Sequence, residues 1–140
     1  MATAGEGMVS PTLRAKRKIL VADDSSAVRQ HLSRLLGEAG YDVMTAASGL
    51  ETLAQLGGQH VDMLICDADM TPLAGTCICM LIRRSARHAS LPVVMLSARG
   101  GPFDSARCAM SGADQLLGKP VNEMVLLQIT KAHVDGVDTV

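Results

Sequence analysis

From Lys18 onward the chain alternates between short runs in which almost every residue is apolar and longer stretches in which apolar residues recur every three or four positions. A continuous apolar run bounded by polar residues is the pattern of a strand buried on both faces, and an i, i+3, i+4 recurrence marks one face of a helix. Strands are therefore expected within KILVAD, YDVMTA, VDMLICD, LPVVMLSA and ADQLLGKP. Helices are expected between them. DSSAVRQHLSRLLGEAG carries Val28, Leu32, Leu35, Leu36 and Ala39 at helical spacing, offers Ser25 or Asp24 as N-cap, and stops at Gly40. SGLETLAQLGG opens on a serine and closes on a glycine pair, and AGTCICMLIRRSARH is expected to bury Ile78, Leu81 and Ile82. GPFDSARCAMSG is a weaker helix with Pro102 suited to its first turn, and NEMVLLQITKAH is the last.

Five strand–helix units imply a parallel sheet with helices on both faces, because parallel strands need crossovers and the crossovers are right-handed. The chain has 140 residues, enough for one real core and not for two, so a stand-alone module is expected. Residues 1–18, rich in small residues and closing on Arg14, Lys16, Arg17 and Lys18, read as a flexible tail; 19–133 read as the domain and 134–140 as a frayed C-terminal tail.

Composition narrows the function classes. With one Phe, one Tyr and no Trp, the core must be built from aliphatic residues and Met. Thirteen basic side chains against 14 acidic ones give a net charge of −1, so there is no overall electrostatic reason to expect nucleic acid or an anionic membrane as partner. Cys66, Cys77, Cys79 and Cys108 lack the paired spacing of a zinc site and read as reduced, buried thiols. The first 18 residues lack the continuous apolar core of a secretory signal, and no later run is long enough to span a bilayer, so a cytoplasmic location is expected.

In open parallel sheets ligands sit beyond the carboxyl ends of the strands. The residues expected there are Asp23 and Asp24 after the first strand, Asp67 and Asp69 after the third, Ser97 after the fourth and Lys119 after the fifth. Carboxylates crowded at about 4 Å repel by about 4 kcal/mol per pair at an effective dielectric near 20, so a cation belongs among them. Hard oxygen ligands suit Mg²⁺, which commonly takes one or two carboxylates together with phosphate oxygens. A carboxylate can also attack phosphorus to give an acyl phosphate, while a lysine, a hydroxyl and a metal neutralise the equatorial oxygens.

At these residues, from Lys18 to about His133, the chain resembles the CheY-like receiver domains of two-component response regulators. KILVADDSSAVR resembles that family's first strand and acid pair, and DMLICDADM with Gly75 resembles its phosphoacceptor strand and loop. VVMLSA resembles its fourth strand with the switch hydroxyl, and GADQLLGKP its fifth strand with the lysine and a cis Lys119–Pro120 bond. The resemblance implies an α/β, flavodoxin-like, doubly wound five-stranded parallel sheet, (βα)5, in strand order 2-1-3-4-5. It implies Asp67 as phosphoacceptor, and Mg²⁺ held by Asp23, Asp24, Asp67 and the backbone carbonyl of Asp69. Ser97 would bond a phosphoryl oxygen and Lys119 would pair with the carboxylate or phosphoryl group. The phosphoryl donor would be a sensor histidine kinase or a histidine phosphotransfer protein. A downstream protein would read the fourth helix, fifth strand and fifth helix, with the module a monomer or a phosphorylation-dependent dimer. The receiver would catalyse only its own phosphorylation and dephosphorylation.

The chain departs from that pattern at Thr71, where proline is usual, at Ala74, where an acid is common, and at Leu116, where an aromatic usually couples to the switch hydroxyl. Loss of that aromatic makes a phosphorylation-independent interaction module the alternative. The Asp69 carboxylate, two positions after the phosphoacceptor, is expected to act on the attacking water and tune the phosphate's lifetime. LICDADMTPL also matches the Asp-x-Asp-x-Thr motif of haloacid dehalogenase-like phosphatases, in which the second Asp is the general acid and base. Chain order counts against that reading. Such enzymes need metal-binding acids after the lysine, where only Glu123, Asp135 and Asp138 are available, and a cap over the substrate for which there is no room.

Overall fold

The structure is a computed structural model that describes residues 16–135. The parts of the expected tails at 1–15 and 136–140 lie outside the described residues. Five strands, β1 (Lys18–Ala22), β2 (Asp42–Ala46), β3 (Met63–Asp67), β4 (Val93–Ser97) and β5 (Gln115–Gly118), alternate with five helices. The helices are α1 (Ser26–Glu38), α2 (Gly49–Gly58), α3 (Gly75–Arg83), α4 (Pro102–Met110) and α5 (Glu123–Thr130). All strand pairs are parallel and the order is β2-β1-β3-β4-β5, the doubly wound arrangement expected from the sequence. No helix of the described residues is long and apolar enough to cross a membrane.

Burial follows strand position. β3 and β4 are buried at every residue, and β1 at all but Lys18, while the edge strands β2 and β5 are largely half-buried or exposed. One apolar layer, containing Leu20, Leu64, Cys66, Ile78, Cys79 and Met95, lies under α2, α3 and α4. The other, containing Ile19, Val21, Leu32, Leu36, Ile65, Leu96 and Leu126, lies under α1 and α5.

The helix ends carry their own signals. The Ser25 hydroxyl caps α1 by accepting from Val28 N–H at 3.3 Å. At the other end Gly40 takes φ +102° and the Tyr41 N–H returns to the Leu36 carbonyl at 3.1 Å, a glycine-terminated turn that an L side chain would strain. At α2, Ser48 accepts from Glu51 N–H at 3.1 Å while Glu51 accepts from Ala47 N–H at 2.7 Å, a reciprocal cap.

Two local expectations are corrected. Leu81 is 48% exposed, and Cys79 takes its place in the core beside Ile78 and Ile82. At 100° per residue the stripe of Gly75, Cys79, Ile78 and Ile82 centres roughly 110° away from Leu81, so that side chain faces outward. Cys77 is exposed; Cys66, Cys79 and Cys108 are the buried thiols, and all four are free. At the C-terminal end α5 runs on into a π-helical turn, Lys131–Asp135. There Val134 is buried against the α1–α5 layer and Asp135 accepts the Tyr41 hydroxyl at 2.9 Å.

Candidate functional site

Parallel register delivers the strand ends to one line. Ala22 pairs with Cys66, Asp67 with Leu96, and Ser97 with Gly118, so Asp23, Asp67, Ser97 and Lys119 emerge side by side along the carboxyl edge. Backbone bonds continue past the strands: Asp23 N–H donates to Ala46 at 3.1 Å, Ala68 N–H to Leu96 at 2.8 Å and Lys119 N–H to Ser97 at 2.9 Å. Gly75 lets the start of α3 lie against this edge. Its N–H donates to the Ala68 carbonyl at 3.1 Å, and a Cβ there would collide with the Asp67 carbonyl oxygen and come within 2.9 Å of Cys66 Sγ.

Carboxylate oxygens of Asp23, Asp24 and Asp67 lie within 4.8 Å of one another. Asp23 is fully buried, Asp67 is 6% exposed, and Asp24 is exposed. Lys119 Nζ lies 2.8 Å from Asp23 Oδ2 and 3.6 Å from Asp67 Oδ1, so one cation faces three carboxylates. Asp23 Oδ2 makes no aligned hydrogen bond despite its burial. Such an oxygen, in an all-carboxylate donor set with an excess of negative charge, fits a hard divalent cation.

The electrostatics follow from this crowding. Burial pushes the Asp67 carboxyl above its ordinary range; the Asp69 N–H, donating to Oδ1 at 3.1 Å, opposes the rise, Asp23 adds to it, and Lys119 opposes it. Desolvation works to lower Lys119, but Asp23 and Asp67 outweigh it and hold the ammonium above its usual value.

The matched family model is described as a response regulator receiver domain and spans residues 19–131. The chain belongs to this receiver family. Receivers are signalling modules of two-component phosphorelays. The chain is 39% identical over 117 residues to the protein PilG of Pseudomonas aeruginosa, covering 84% of this chain and 87% of PilG. It is also 33% identical over 119 residues to the sensor histidine kinase RcsC of Escherichia coli, where the match covers 85% of this chain and only 12% of the kinase. Among solved structures it superposes on the Vibrio cholerae chemotaxis protein CheY4 with a TM-score of 0.80 and 33% identity, over 85% of this chain and 99% of that one.

This receiver keeps the usual strand-end residues but surrounds the fourth strand differently. Lys119–Pro120 is cis, as the resemblance implied, and a second cis bond, Thr71–Pro72, lies at the departure in the β3–α3 loop. Leu116 is half-buried and packs against the α2–α4 layer. Ser97, 1% exposed, donates its hydroxyl to Asp104 Oδ2, and its Oγ accepts from the N–H groups of Arg99 at 3.2 Å and Gly100 at 3.3 Å. Asp69 Oδ1 receives Arg99 at 2.9 Å and Arg107 at 3.1 Å.

Sequence reasoning did not single out Asp104, Arg99 or Arg107. The available signal was an acid on the inward face of a helix: Asp104 precedes Cys108 by four residues, and both are buried. The Ser97 hydroxyl and then Arg107 hold its carboxyl down at about 2 against the opposing effect of burial.

Proposed function

We propose that Asp67 accepts a phosphoryl group from a phosphohistidine on a sensor histidine kinase or a histidine phosphotransfer protein. The Asp67 carboxylate oxygen attacks phosphorus, the P–N bond to the donor imidazole breaks, and the electron pair leaves with that nitrogen. The product is an acyl phosphate on Asp67. Asp23, Asp24, Asp67 and the backbone carbonyl of Asp69 are the groups that would hold Mg²⁺, which when bound supplies positive charge to the phosphoryl oxygens. Lys119 contributes a second positive charge and Ser97 a hydroxyl donor to the transferred group. Partner proteins then read the altered surface; the output face formed by α4, β5 and α5 carries exposed Phe103, Met110, Met124 and Val125.

The observation that carries this reading is the convergence of three carboxylates within 4.8 Å, with Lys119 Nζ 3.6 Å from Asp67. Among the described residues, two of the later acids of the rival phosphatase reading are engaged elsewhere: Glu123 pairs with His31 at 2.6 Å, and Asp135 accepts from Tyr41 at 2.9 Å, while Asp138 lies outside the described residues. Incubation with acetyl phosphate and Mg²⁺ followed by intact mass measurement tests the proposal. One phosphate adduct is expected on the wild type and none on Asp67→Asn. An adduct at full yield on Asp67→Asn would refute the assignment, and absence of an adduct on the wild type would favour the phosphorylation-independent module. Turnover of a generic phosphate ester would favour the phosphatase.

A further inference from the structure

One buried acid has no part in the proposed chemistry. Asp104 lies in the first turn of α4 with 3% of its surface exposed. Its Oδ2 accepts the Ser97 hydroxyl and the Gly100 N–H, the latter at 3.2 Å, while Oδ1 accepts Arg107 Nη2 at 2.7 Å. Arg107 in turn reaches Asp69 at 3.1 Å and Thr76 Oγ1 at 3.4 Å. A chain of charge-assisted contacts therefore runs from the switch hydroxyl, through Asp104 and Arg107, to the residue two positions after Asp67.

Helix capping explains part of this. An acid in a first turn is favoured by the free N–H groups there, and the Gly100 contact serves that end. Capping requires neither burial nor a bond to Ser97. A carboxylate taken out of water is tolerated only when donors fill its lone pairs, and the hydroxyl, the amide and the guanidinium do so here. The serine is thus part of what keeps Asp104 satisfied.

A serine has one O–H and donates it to one acceptor at a time. Resting on the phosphoacceptor reading, we propose that Asp104 is a positioning residue that holds the Ser97 hydroxyl in the unphosphorylated protein, and that a phosphoryl oxygen on Asp67 must compete with it for that donor. Both acceptors are anionic, so neither wins on charge alone. When Ser97 turns to the phosphoryl group, Asp104 loses one of its three donors and its contact with Arg107 readjusts. Arg107 lines a cleft between α3 and α4 with Thr76, Met80, Phe103 and Met110. The competition is thereby carried to that cleft without the aromatic side chain that Leu116 replaces.

Two measurements on the full chain test this. In the unphosphorylated protein, three-bond NMR couplings report the Ser97 side-chain rotamer. A single rotamer is expected in the wild type, and averaging over several in Asp104→Ala. A rotamer unchanged in Asp104→Ala, or already averaged in the wild type, overturns the resting contact. Asp104→Asn, which keeps the shape and loses the charge, should fall between the two and serves if the alanine variant does not fold.

The second measurement is the concentration of beryllium fluoride, a tetrahedral phosphoryl mimic, that half-saturates the protein in the presence of Mg²⁺. It should drop about fivefold in Asp104→Ala, the scale of the net worth of one hydrogen bond, and by less than twofold when the same substitution is made in Ser97→Ala. Equal effects in both backgrounds would mean that Asp104 acts independently of Ser97, and the proposal would fall while the phosphoacceptor reading stood. A wild type that takes neither beryllium fluoride nor a phosphoryl group removes that reading, and the competition with it.

Discussion

The two flanks of Asp67 neutralise charge in opposite ways. On the β1–β5 flank, Asp23, Asp24 and Asp67 face a single lysine, leaving negative charge in excess and one buried oxygen of Asp23 without an aligned donor. On the β4–α4 flank, Asp69 and Asp104 share Arg107 and also Arg99, which lies 2.9 Å from Asp69 and 3.8 Å from Asp104, and Asp104 is bonded on both oxygens. The first flank is under-neutralised, which fits a divalent cation. The second has two acids matched by two guanidinium groups, with Arg107 Nε left without an aligned acceptor, so its carboxylates respond by exchanging one partner for another.

The largest break in that comparison should come from Lys119→Met. Losing one preorganised donor to a developing charge in a water-poor site costs about 2.7–4 kcal/mol, or roughly 10²–10³ in rate. The initial rate of phosphate adduct formation from acetyl phosphate should fall on that scale. Arg99→Ala, on the charge-matched and more exposed flank, should change it by less than about fivefold, because exposed ion pairs contribute about 1 kcal/mol at most. Equal losses in the two variants would erase the distinction between the flanks.

Next in size is cation binding. A divalent ion that binds only the folded protein stabilises it by about 2.7 kcal/mol at a hundred times its Kd, a rise in Tm of roughly 8–12 °C for a domain of this size. Thermal unfolding with Mg²⁺ and with chelator should show that rise in the wild type. Asp24→Ala should lose most of it, and Asp104→Asn should keep it. A Tm rise abolished by Asp104→Asn would place cation binding on the wrong flank.

The flanks also differ in how much of them the sequence revealed. Asp23, Asp67, Ser97 and Lys119 were legible because a parallel sheet forces strand ends into one line, and an apolar run announces where each strand ends. Register then needs no side-chain information. Asp104, Arg99 and Arg107 come together through the pitch of α4 and the path of the glycine-rich loop before it, where Gly100 and Gly101 take φ +70° and +93°. The apolar pattern of α4 is weak, and Asp104 occupies an inward position where an apolar residue is the usual expectation. Leu81 failed for a related reason: on a helix of nine residues, a phase error of one residue, about 100°, moves a side chain from core to solvent.

Acidity should separate the flanks by sign. Asp104 ionises at about 2 in the folded protein, below the ordinary 3.8, so its stabilising contribution is full above 3.8 and is lost as pH falls toward about 2. Asp67 is shifted upward from 3.8, so ionising it opposes folding; the cost is absent below 3.8, grows as pH rises toward the raised value and is full above it. In denaturant titrations with divalent ions chelated, Asp104→Asn should be destabilised at pH 7 by about 1.5–3 kcal/mol, the worth of hydrogen bonds to a charged group, and less so near pH 2. Asp67→Asn, relieved of repulsion from Asp23 and Asp24, should be more stable than wild type at pH 7 and equal to it below pH 3.8. Shifts of the same sign in both variants would contradict the division.

The smallest expected effect concerns Asp69, which joins the flanks: its N–H donates to Asp67 while its carboxylate receives Arg99 and Arg107. Asp69→Asn keeps the backbone contact and weakens only the arginine contacts, so stability should change by less than about 1 kcal/mol. If the Asp69 carboxylate acts on the water that attacks the acyl phosphate, as expected from its place two positions after Asp67, the decay rate should still change by a few-fold, and the arginines that hold it would set that effect. Arg107→Ala tests whether that hold matters. If the arginine positions the carboxylate, the two variants should shift the decay rate in the same direction and their double variant no further than the larger of them. Decay rates identical to wild type in Asp69→Asn would restrict the residue to its backbone role and leave the two flanks chemically independent.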